Sequence, residues 1–111
     1  MTNNRILLSI CIPTYNRAST LEQTLRNITE NPEIDDRVEI IVSDNASTDH
    51  TRQVVTQFPK VKYYCNDENI KDLNFSKVLS YASGEYIKLT NDTTFYKPQA
   101  ITTILGLIEK H

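Results

Sequence analysis

Three short polar stretches carry the side chains of this sequence that could hold a nucleotide: residues 13–17, 43–49 and 90–94. The first stretch reads Pro-Thr-Tyr-Asn-Arg and combines an aromatic ring with hydroxyl, amide and guanidinium groups. A planar base can stack on the ring of Tyr15, and Arg17 can pair with a phosphate. This combination of groups suits nucleotide binding.

Asp44 and Asn45 supply the polar groups at the start of the second stretch. The carboxylate of Asp44 can accept hydrogen bonds from a base imide N–H or from a ribose hydroxyl. Asp and Asn in this setting also commonly cap a turn and the helix that follows. Tyr15 by itself is equally compatible with ordinary half-buried packing. Because the two stretches occur together, we favour the nucleotide site.

The third stretch contains Asn91-Asp92-Thr93, with one carboxylate between an amide and a hydroxyl. A Mg²⁺ or Mn²⁺ ion bound to phosphates generally takes one or two protein carboxylates. Asp92 alone could supply that ligand, although a single Asp in a polar loop is more often a turn residue. Metal binding at this loop therefore stays open on the residues alone.

Four apolar runs of strand length position these stretches. They span residues 6–12, 38–42, 61–65 and 85–89. Helical spacing follows each run. The first predicted helix is capped at Ser19 and ends at Asn31-Pro32, and the second is capped at Ser47, Thr48 or Asp49 and ends at Pro59. The third spans residues 73–81 before Gly84, and the fourth begins at Pro98.

The alternation of strand and helix predicts a three-layer α/β domain. We expect a mostly parallel, Rossmann-like sheet of four strands with helices on both faces and the third strand near an edge. The carboxyl ends of parallel strands point the same way, so the three polar stretches should meet in one crevice, which is where open α/β sheets bind nucleotides.

Composition excludes several other functions. The formal net charge is -2, which provides no basic field for nucleic acid. Only Gly84 and Gly106 are present, so neither a phosphate-binding P-loop nor a dinucleotide fingerprint can form. No run of about 20 apolar residues predicts a membrane span, and the N-terminus does not resemble a signal peptide. We expect a cytoplasmic protein.

Four segments in this order resemble the N-terminal half of the family 2 glycosyltransferases, which are bacterial-type, inverting enzymes that use nucleotide sugars and have the GT-A fold. The segments are Ser-Ile-Cys-Ile-Pro-Thr-Tyr-Asn-Arg at residues 9–17, Glu-Ile-Ile-Val-Ser-Asp-Asn-Ala-Ser-Thr-Asp at 39–49, Asn-Ile at 69–70, and Ala-Ser-Gly-Glu-Tyr-Ile at 82–87. The resemblance covers roughly residues 8–108. It implies transfer of a sugar from a nucleoside-diphosphate donor, most readily a UDP-sugar, in surface polysaccharide synthesis.

The resemblance assigns the first loop and the strand-end Asp to the base and ribose, and two later Asn residues to the nucleotide side. With the groups considered above, the predicted nucleotide-binding set is Pro13, Thr14, Tyr15, Arg17, Asp44, Asn45, Asn69 and Asn74. The family also binds a divalent metal through an Asp-any-Asp motif, which carries over to Asn91 and Asp92. Both outer carboxylates of that motif are replaced here, so Mg²⁺ or Mn²⁺ could be held weakly, or the protein could work without metal or lack activity.

The family's catalytic base and acceptor surface lie beyond the metal motif, and residues 94–111 are too few to supply them. We therefore expect residues 1–111 to form only the donor-nucleotide part of a catalytic domain. The alternative is a non-catalytic remnant or interaction module that binds a nucleotide weakly or not at all. An uncovered apolar sheet edge predicts a homo-oligomer. The resemblance also allows a peripheral association of the full-length protein with the inner membrane.

Overall fold

The computed structural model describes residues 5–110, which form four strands and four helices in strict alternation. The strands are β1 (Leu8–Thr14), β2 (Val38–Asp44), β3 (Val61–Cys65) and β4 (Tyr86–Leu89). The helices are α1 (Ala18–Thr29), α2 (Thr51–Val55), α3 (Leu73–Ser80) and α4 (Ala100–Glu109). The predicted α/β class is confirmed, and most element ends fall within two residues of the expected positions.

The strands form one sheet in the order β3-β2-β1-β4, and every neighbouring pair is parallel. Leu8 pairs with Val38 on β2 and with Tyr86 on β4, so β1 and β2 are the central strands. β3 lies at one edge, as expected, and β4 lies at the other. This order brings the carboxyl ends of β1, β2 and β4 side by side.

β1 continues two residues beyond the predicted end, through Pro13 to Thr14. A proline inside a strand cannot donate a ladder hydrogen bond, so its position needs a reason. The carbonyl oxygen of Cys11 accepts a hydrogen bond from the amide of Thr90, on the β4 side. Backbone groups of alternate residues face the same neighbour, so the nitrogen of Pro13 faces the side where β4 has already ended at Leu89.

The two faces of the sheet are covered unequally. α1, α2 and α4 pack on one face, and α3 packs on the other. The larger core joins alternate residues of β1 and β2 to these three helices, including Ile10, Ile40, Leu21, Leu25 and Leu105. The smaller core consists of Cys11, Ile41 and Val78, with Tyr81 and Ala82 against it. The three-layer arrangement is therefore as predicted.

The carboxylate of Asp49 serves the first turns of two helices. α1 begins at Ala18, so Ser19 is not its cap; instead the amide of Ala18 donates to Asp49 Oδ2 at 3.2 Å. The other oxygen of Asp49 accepts a hydrogen bond from the amide of Thr51 at 3.0 Å, at the start of α2. The prediction that Ser19 caps α1 is therefore wrong, because a capping group from another loop leaves no local spacing in the sequence. The contact also ties the loop after β1 to the loop after β2.

Glu39 anchors the opposite end of β2 and is only 5% exposed. Its carboxylate accepts hydrogen bonds from Lys62 Nζ at 2.7 Å and from the amide and hydroxyl of Ser83 at 2.7 and 2.9 Å. Ser9 donates to the same carboxylate and accepts a hydrogen bond from the amide of Gly84 at 2.8 Å. A Cβ atom on Gly84 would lie 2.6 Å from Ser9 Oγ, so this close approach requires the glycine. The predicted role of Gly84 as the stop of the preceding helix is wrong, because α3 ends at Ser80 with Tyr81 as its C-cap and no described glycine has a positive φ.

Candidate nucleotide site

The carboxyl ends of β1, β2 and β4 surround a cleft of about 300 Å³. Its walls combine aromatic, amide, hydroxyl and charged side chains from four loops. The lining residues are Pro13, Thr14, Tyr15, Arg17, Asn45, Lys71, Asn74, Phe75, Asn91, Asp92 and Thr93. The three polar stretches identified in the sequence therefore meet in one place, as the parallel sheet requires.

Asn16 fixes the loop after β1 against the loop after β2. Its backbone has a φ of 50°, in the left-handed region, and its amide donates to Ser47 Oγ at 2.8 Å. Its side-chain oxygen accepts a hydrogen bond from the amide of Thr48 at 2.7 Å. With Asn16 held in this way, the neighbouring Tyr15 and Arg17 project into the cleft region. Tyr15 is 43% exposed and lines the cleft, so its ring is accessible to a planar ligand.

Asp44 lies beneath the cleft rather than in its lining, and it is only 2% exposed. Its Oδ1 accepts a hydrogen bond from the amide of Ser47 at 2.9 Å, and its Oδ2 accepts one from the hydroxyl of Tyr63 at 2.6 Å. Burial, and then the neighbouring Asp44 carboxylate, raise the pKa of Tyr63 above its usual range. Tyr63 is not among the predicted site residues, because alternation within β3 gives no sign that its hydroxyl reaches β2.

The predicted amide residues form a network among themselves. Asn45 Nδ2 donates to Asn69 Oδ1 at 2.8 Å, and Asn66 Nδ2 donates to Asn45 Oδ1 at 3.0 Å and to Asn74 Oδ1 at 2.9 Å. Asn74 also donates to the carbonyl of Ser43 at 2.9 Å. Asn45 and Asn74 line the cleft, whereas Asn69 does not. The network shapes residues 66–72, and Asn66 is a member that the sequence did not reveal.

Lys71 and Phe75 line the cleft although neither is among the predicted site residues. Lys71 has a φ of 54°, and its amide donates to Asn69 Oδ1 at 2.7 Å. Phe75 is 42% exposed and offers a second aromatic surface in the same cleft. Helical periodicity identifies Phe75 only as a position in α3, and a lysine in a polar loop has no distinguishing pattern. Only the folded loop places them at this site.

Asp92 is buried at the cleft wall and joins β1 to the loop after β4. Its Oδ2 accepts a hydrogen bond from Thr14 Oγ1 at 2.8 Å, and its carbonyl accepts one from Thr24 Oγ1 at 2.9 Å. Arg17 Nε lies 3.8 Å from Asp92 Oδ1. Burial raises the pKa of Asp92, an effect opposed by the Thr14 hydrogen bond and the charge of Arg17. Asp92 therefore has a structural role whatever else it binds.

The donor set around Asp92 does not fit a divalent ion well. Within residues 5–110, no three His, Cys, Asp or Glu side chains come together as a metal cluster. One oxygen of Asp92 is engaged by Thr14, and a guanidinium stands near the other. Asn91 and Thr93 are neutral, so they cannot replace the missing carboxylates in charge. Binding of Mg²⁺ or Mn²⁺ by Asn91 and Asp92 therefore stays a prediction for this chain.

An open parallel sheet with a polar cleft at its strand ends is a nucleotide-binding architecture, and the solved structures that share this fold are GT-A glycosyltransferases. The chain belongs to glycosyl transferase family 2, whose family model matches residues 9–111. The resemblance noted in the sequence is thereby confirmed at the level of family and fold.

The curated relatives of this chain include bacterial glycosyltransferases. The abequosyltransferase RfbV of Salmonella typhimurium is 40% identical over 88 residues, which cover 73% of this chain and 26% of the relative. The GalNAc(5)-diNAcBac-PP-undecaprenol beta-1,3-glucosyltransferase of Campylobacter jejuni is 35% identical over 104 residues, which cover 88% of this chain and 33% of the relative. The chain thus spans about a quarter to a third of the length of these relatives.

Solved structures support the same fold. The mannosyltransferase PcManGT from Pyrobaculum calidifontis, in complex with GDP-Man and Mn²⁺, is 27% identical with a TM-score of 0.78, covering 91% of this chain and 32% of that one. Residues 1–349 of S. aureus TarS in complex with UDP give a TM-score of 0.87 at 21% identity, covering 96% of this chain and 33% of that one. At 21% identity, the similarity to TarS is evidence for the fold alone.

None of the helices within residues 5–110 has the length and apolar character to cross a membrane.

Proposed function

We propose that this chain forms the donor-nucleotide-binding part of a glycosyltransferase. The reaction is transfer of a sugar from a nucleoside-diphosphate sugar, most readily a UDP-sugar, to an acceptor hydroxyl with inversion, in bacterial surface polysaccharide synthesis. The observation that carries the proposal is the convergence of Tyr15, Arg17 and Asn45 in one cleft at the carboxyl ends of β1 and β2. Membership of family 2 and the bacterial relatives support it.

The cleft residues have distinct roles in this proposal. The exposed ring of Tyr15 stacks on the base, and Arg17 attracts the diphosphate. Asp44 immediately precedes Asn45 of the lining, and both of its oxygens are already hydrogen-bonded, so it positions the loop on the base and ribose side to which the family resemblance assigns it. Phe75 adds apolar surface on the same cleft. These contacts bind and orient the donor, which is the part of catalysis that depends on position.

Transfer itself is a direct displacement. The acceptor oxygen, deprotonated by a base, bonds to the anomeric carbon while the bond from that carbon to the diphosphate oxygen breaks. The electron pair of the broken bond leaves with the nucleoside diphosphate, and attack from the opposite side inverts the anomeric centre. Following the family resemblance, we assign the base to the part of the family domain that lies beyond residues 94–111.

Only the family resemblance and a related structure support a divalent ion at this site. The related mannosyltransferase structure holds Mn²⁺, which in such enzymes offsets charge on the departing diphosphate. In this chain Asn91 and Asp92 are the residues that the resemblance implies as ligands. Their donor set fits a divalent ion poorly, because one oxygen of Asp92 is bound by Thr14 and a guanidinium lies near the other.

The second candidate function is a non-catalytic module that binds a nucleotide weakly or not at all. The observation in its favour is that Asp92 is the one carboxylate of residues 91–93 and is already bound by Thr14. Release of nucleoside diphosphate from a UDP-sugar by this chain would exclude that candidate. Absence of release would fit both candidates, because the base is assigned to a part of the domain beyond residues 94–111, and nucleotide titration then separates them.

Titration with nucleotides tests the binding proposal. We expect UDP or GDP to shift the backbone amide NMR signals of Tyr15, Asp44 and Asn45, and Tyr15→Ala to abolish most of the shift. Tyr64→Ala is the matched control, because Tyr64 stacks on Tyr81 with ring centroids 3.8 Å apart and does not line the cleft. Unchanged spectra at millimolar UDP and GDP would refute the proposal.

Two further properties belong to this proposal. Copies of the chain pair through the exposed edge formed by β4, which carries Tyr86, Ile87 and Leu89. The full-length protein works in the cytoplasm as a peripheral partner of the inner membrane, a location supported by the undecaprenol-linked acceptor in the name of the Campylobacter relative. Co-sedimentation of the full-length protein with inner-membrane vesicles would test the second property.

A further inference from the structure

Lys71 is a cation held at the cleft by its own loop. Its amide donates to Asn69 Oδ1 at 2.7 Å, and its carbonyl accepts a hydrogen bond from Asn45 Nδ2 at 3.3 Å. The φ of 54° is a conformation that a lysine rarely adopts, because its Cβ crowds the following carbonyl. Among residues 5–110, the ammonium group has no carboxylate partner. The loop therefore maintains a strained backbone and presents an unpaired charge at the site.

The balance of charge in the cleft is positive. Arg17 and Lys71 contribute two cations, and Asp92 is the single carboxylate among the lining residues. The contact of Arg17 with Asp92 is long, at 3.8 Å, and the Arg17 side chain is 58% exposed. A contact this long, made by a largely exposed guanidinium, is weak, so the guanidinium is available to a ligand. An incoming diphosphate thus meets more positive than negative charge.

The neutral residues of the third loop fit the same pattern. A metal-dependent site offers carboxylates that attract the ion, and the ion then offsets the charge of the diphosphate. Here Asn91 and Thr93 are uncharged and the remaining carboxylate of Asp92 is bound by Thr14. The cleft therefore offers a metal ion less negative charge than a site with the full Asp-any-Asp motif would offer. It also has two protein cations that can pair directly with phosphate oxygens.

We propose that Lys71 and Arg17 together bind the diphosphate of the donor directly, so that nucleotide binding by this chain requires no divalent ion. The inference rests on the proposed function, since it concerns the same cleft and the same ligand class. It adds Lys71 as a binding residue and assigns the diphosphate to protein cations in place of a metal.

The test compares UDP with uridine, followed by amide NMR shifts, in EDTA and in millimolar Mg²⁺. We expect wild-type protein to bind UDP about equally in both buffers. Lys71→Met should weaken UDP binding about tenfold, the loss of one charge-assisted contact, and should leave uridine binding unchanged. Lys71→Arg should retain most of the affinity. Lys60→Met is the matched control, because Lys60 immediately precedes β3 at the amino-terminal end of the sheet.

Each other outcome overturns the inference in a recognisable way. UDP binding that appears only with Mg²⁺ would show that a metal carries the diphosphate, while the proposed function would stand. Equal UDP affinities of Lys71→Met and Lys60→Met, with well-dispersed spectra for both, would remove Lys71 from the site. If neither UDP nor GDP binds in any buffer, the proposed function fails and the inference fails with it.

Discussion

The hydroxyl of Tyr63 donates a 2.6 Å hydrogen bond to Asp44 Oδ2, joining β3 to the strand-end carboxylate of β2. The amide of Ser47 holds the other oxygen at 2.9 Å, so the carboxylate is oriented from both sides. Asp44 is the residue of the second loop to which the family resemblance assigns base and ribose binding. Its orientation therefore depends on an edge strand that does not contact the cleft itself.

Tyr63→Phe should disturb both stability and binding. Removing a hydroxyl that hydrogen-bonds to a buried carboxylate should lower the free energy of unfolding by about 1–3 kcal/mol. Asp44 would then be held on one side only, and we expect UDP affinity to fall several-fold. Urea unfolding followed by circular dichroism measures the first effect, and NMR titration measures the second.

Tyr64→Phe provides the matched control for that experiment. It removes the same hydroxyl from the adjacent residue, whose ring stacks on Tyr81. We expect little change in stability or affinity. If the two variants behave alike, the contact between Tyr63 and Asp44 has no special role.

Glu39 should make the fold sensitive to acid. Burial alone would raise the pKa of Glu39, but the hydrogen bonds from Lys62, Ser9 and Ser83 outweigh it and lower the pKa to about 2 from 4.5. A carboxyl with a lowered folded-state pKa stabilises the protein above pH 4.5, and this stabilisation is lost as the pH falls to about 2. The loss is of the order of 3 kcal/mol.

Glu39→Gln should make the free energy of unfolding less dependent on pH in the acidic range. Urea unfolding at a series of pH values should show a less stable variant at neutral pH, with a smaller loss between about pH 4.5 and pH 2. The control is Glu22→Gln, because Glu22 pairs with Arg26 on the exposed surface of α1 and contributes little. An unchanged acid profile in Glu39→Gln would disprove the role assigned to the carboxylate.

Most of the fold could be predicted because the hydrophobic pattern decides it. The apolar run of β2 is buried at every position, and the spacing of Leu21, Leu25 and Ile28 defines the covered side of α1. Contacts between distant loops leave no such pattern. The cap of α1 by Asp49 and the approach of Gly84 to Ser9 join segments that only the folded sheet brings together.

The site could be predicted in part for the same reason. Tyr15, Arg17 and Asn45 lie at strand ends, and a parallel sheet must bring strand ends together. Lys71 lies in the longer loop between β3 and α3, where its position depends on hydrogen bonds to Asn45 and Asn69. Nothing in a single sequence marks a lysine for a left-handed conformation, so this residue became visible only in the structure.

Replacing Lys71, whose backbone is left-handed, with glycine should increase the stability of the fold and weaken nucleotide binding. Lys71→Gly removes the clash of Cβ with the backbone at a φ of 54°, which should raise the free energy of unfolding by up to about 1 kcal/mol. The same change removes the ammonium group, so UDP affinity should fall. Thermal unfolding and NMR titration of one sample measure both effects.

Lys71→Ala separates the two contributions. It also removes the charge but keeps a Cβ in the left-handed conformation, so it should lose affinity without the gain in stability. A melting temperature for Lys71→Gly below that of Lys71→Ala would show that the backbone at this position is unstrained.

β4 forms an exposed, apolar edge of the sheet. Tyr86, Ile87 and Leu89 are each more than two-fifths exposed, and Leu107 of α4 is also exposed beside them. An edge strand with unpaired backbone groups and apolar side chains favours pairing with another strand. We therefore expect the 111-residue chain to associate with a second copy along β4.

Ile87→Lys should disrupt this pairing, because a charge on an edge strand opposes association. Light scattering should show a dimer or larger assembly for the wild-type chain and a shift toward monomer for the variant. Leu73→Lys is the control, since Leu73 is still more exposed, at 68%, but lies at the start of α3 rather than on the edge. A wild-type chain that stays monomeric at millimolar concentration, or an equal effect of both variants, would contradict association through β4.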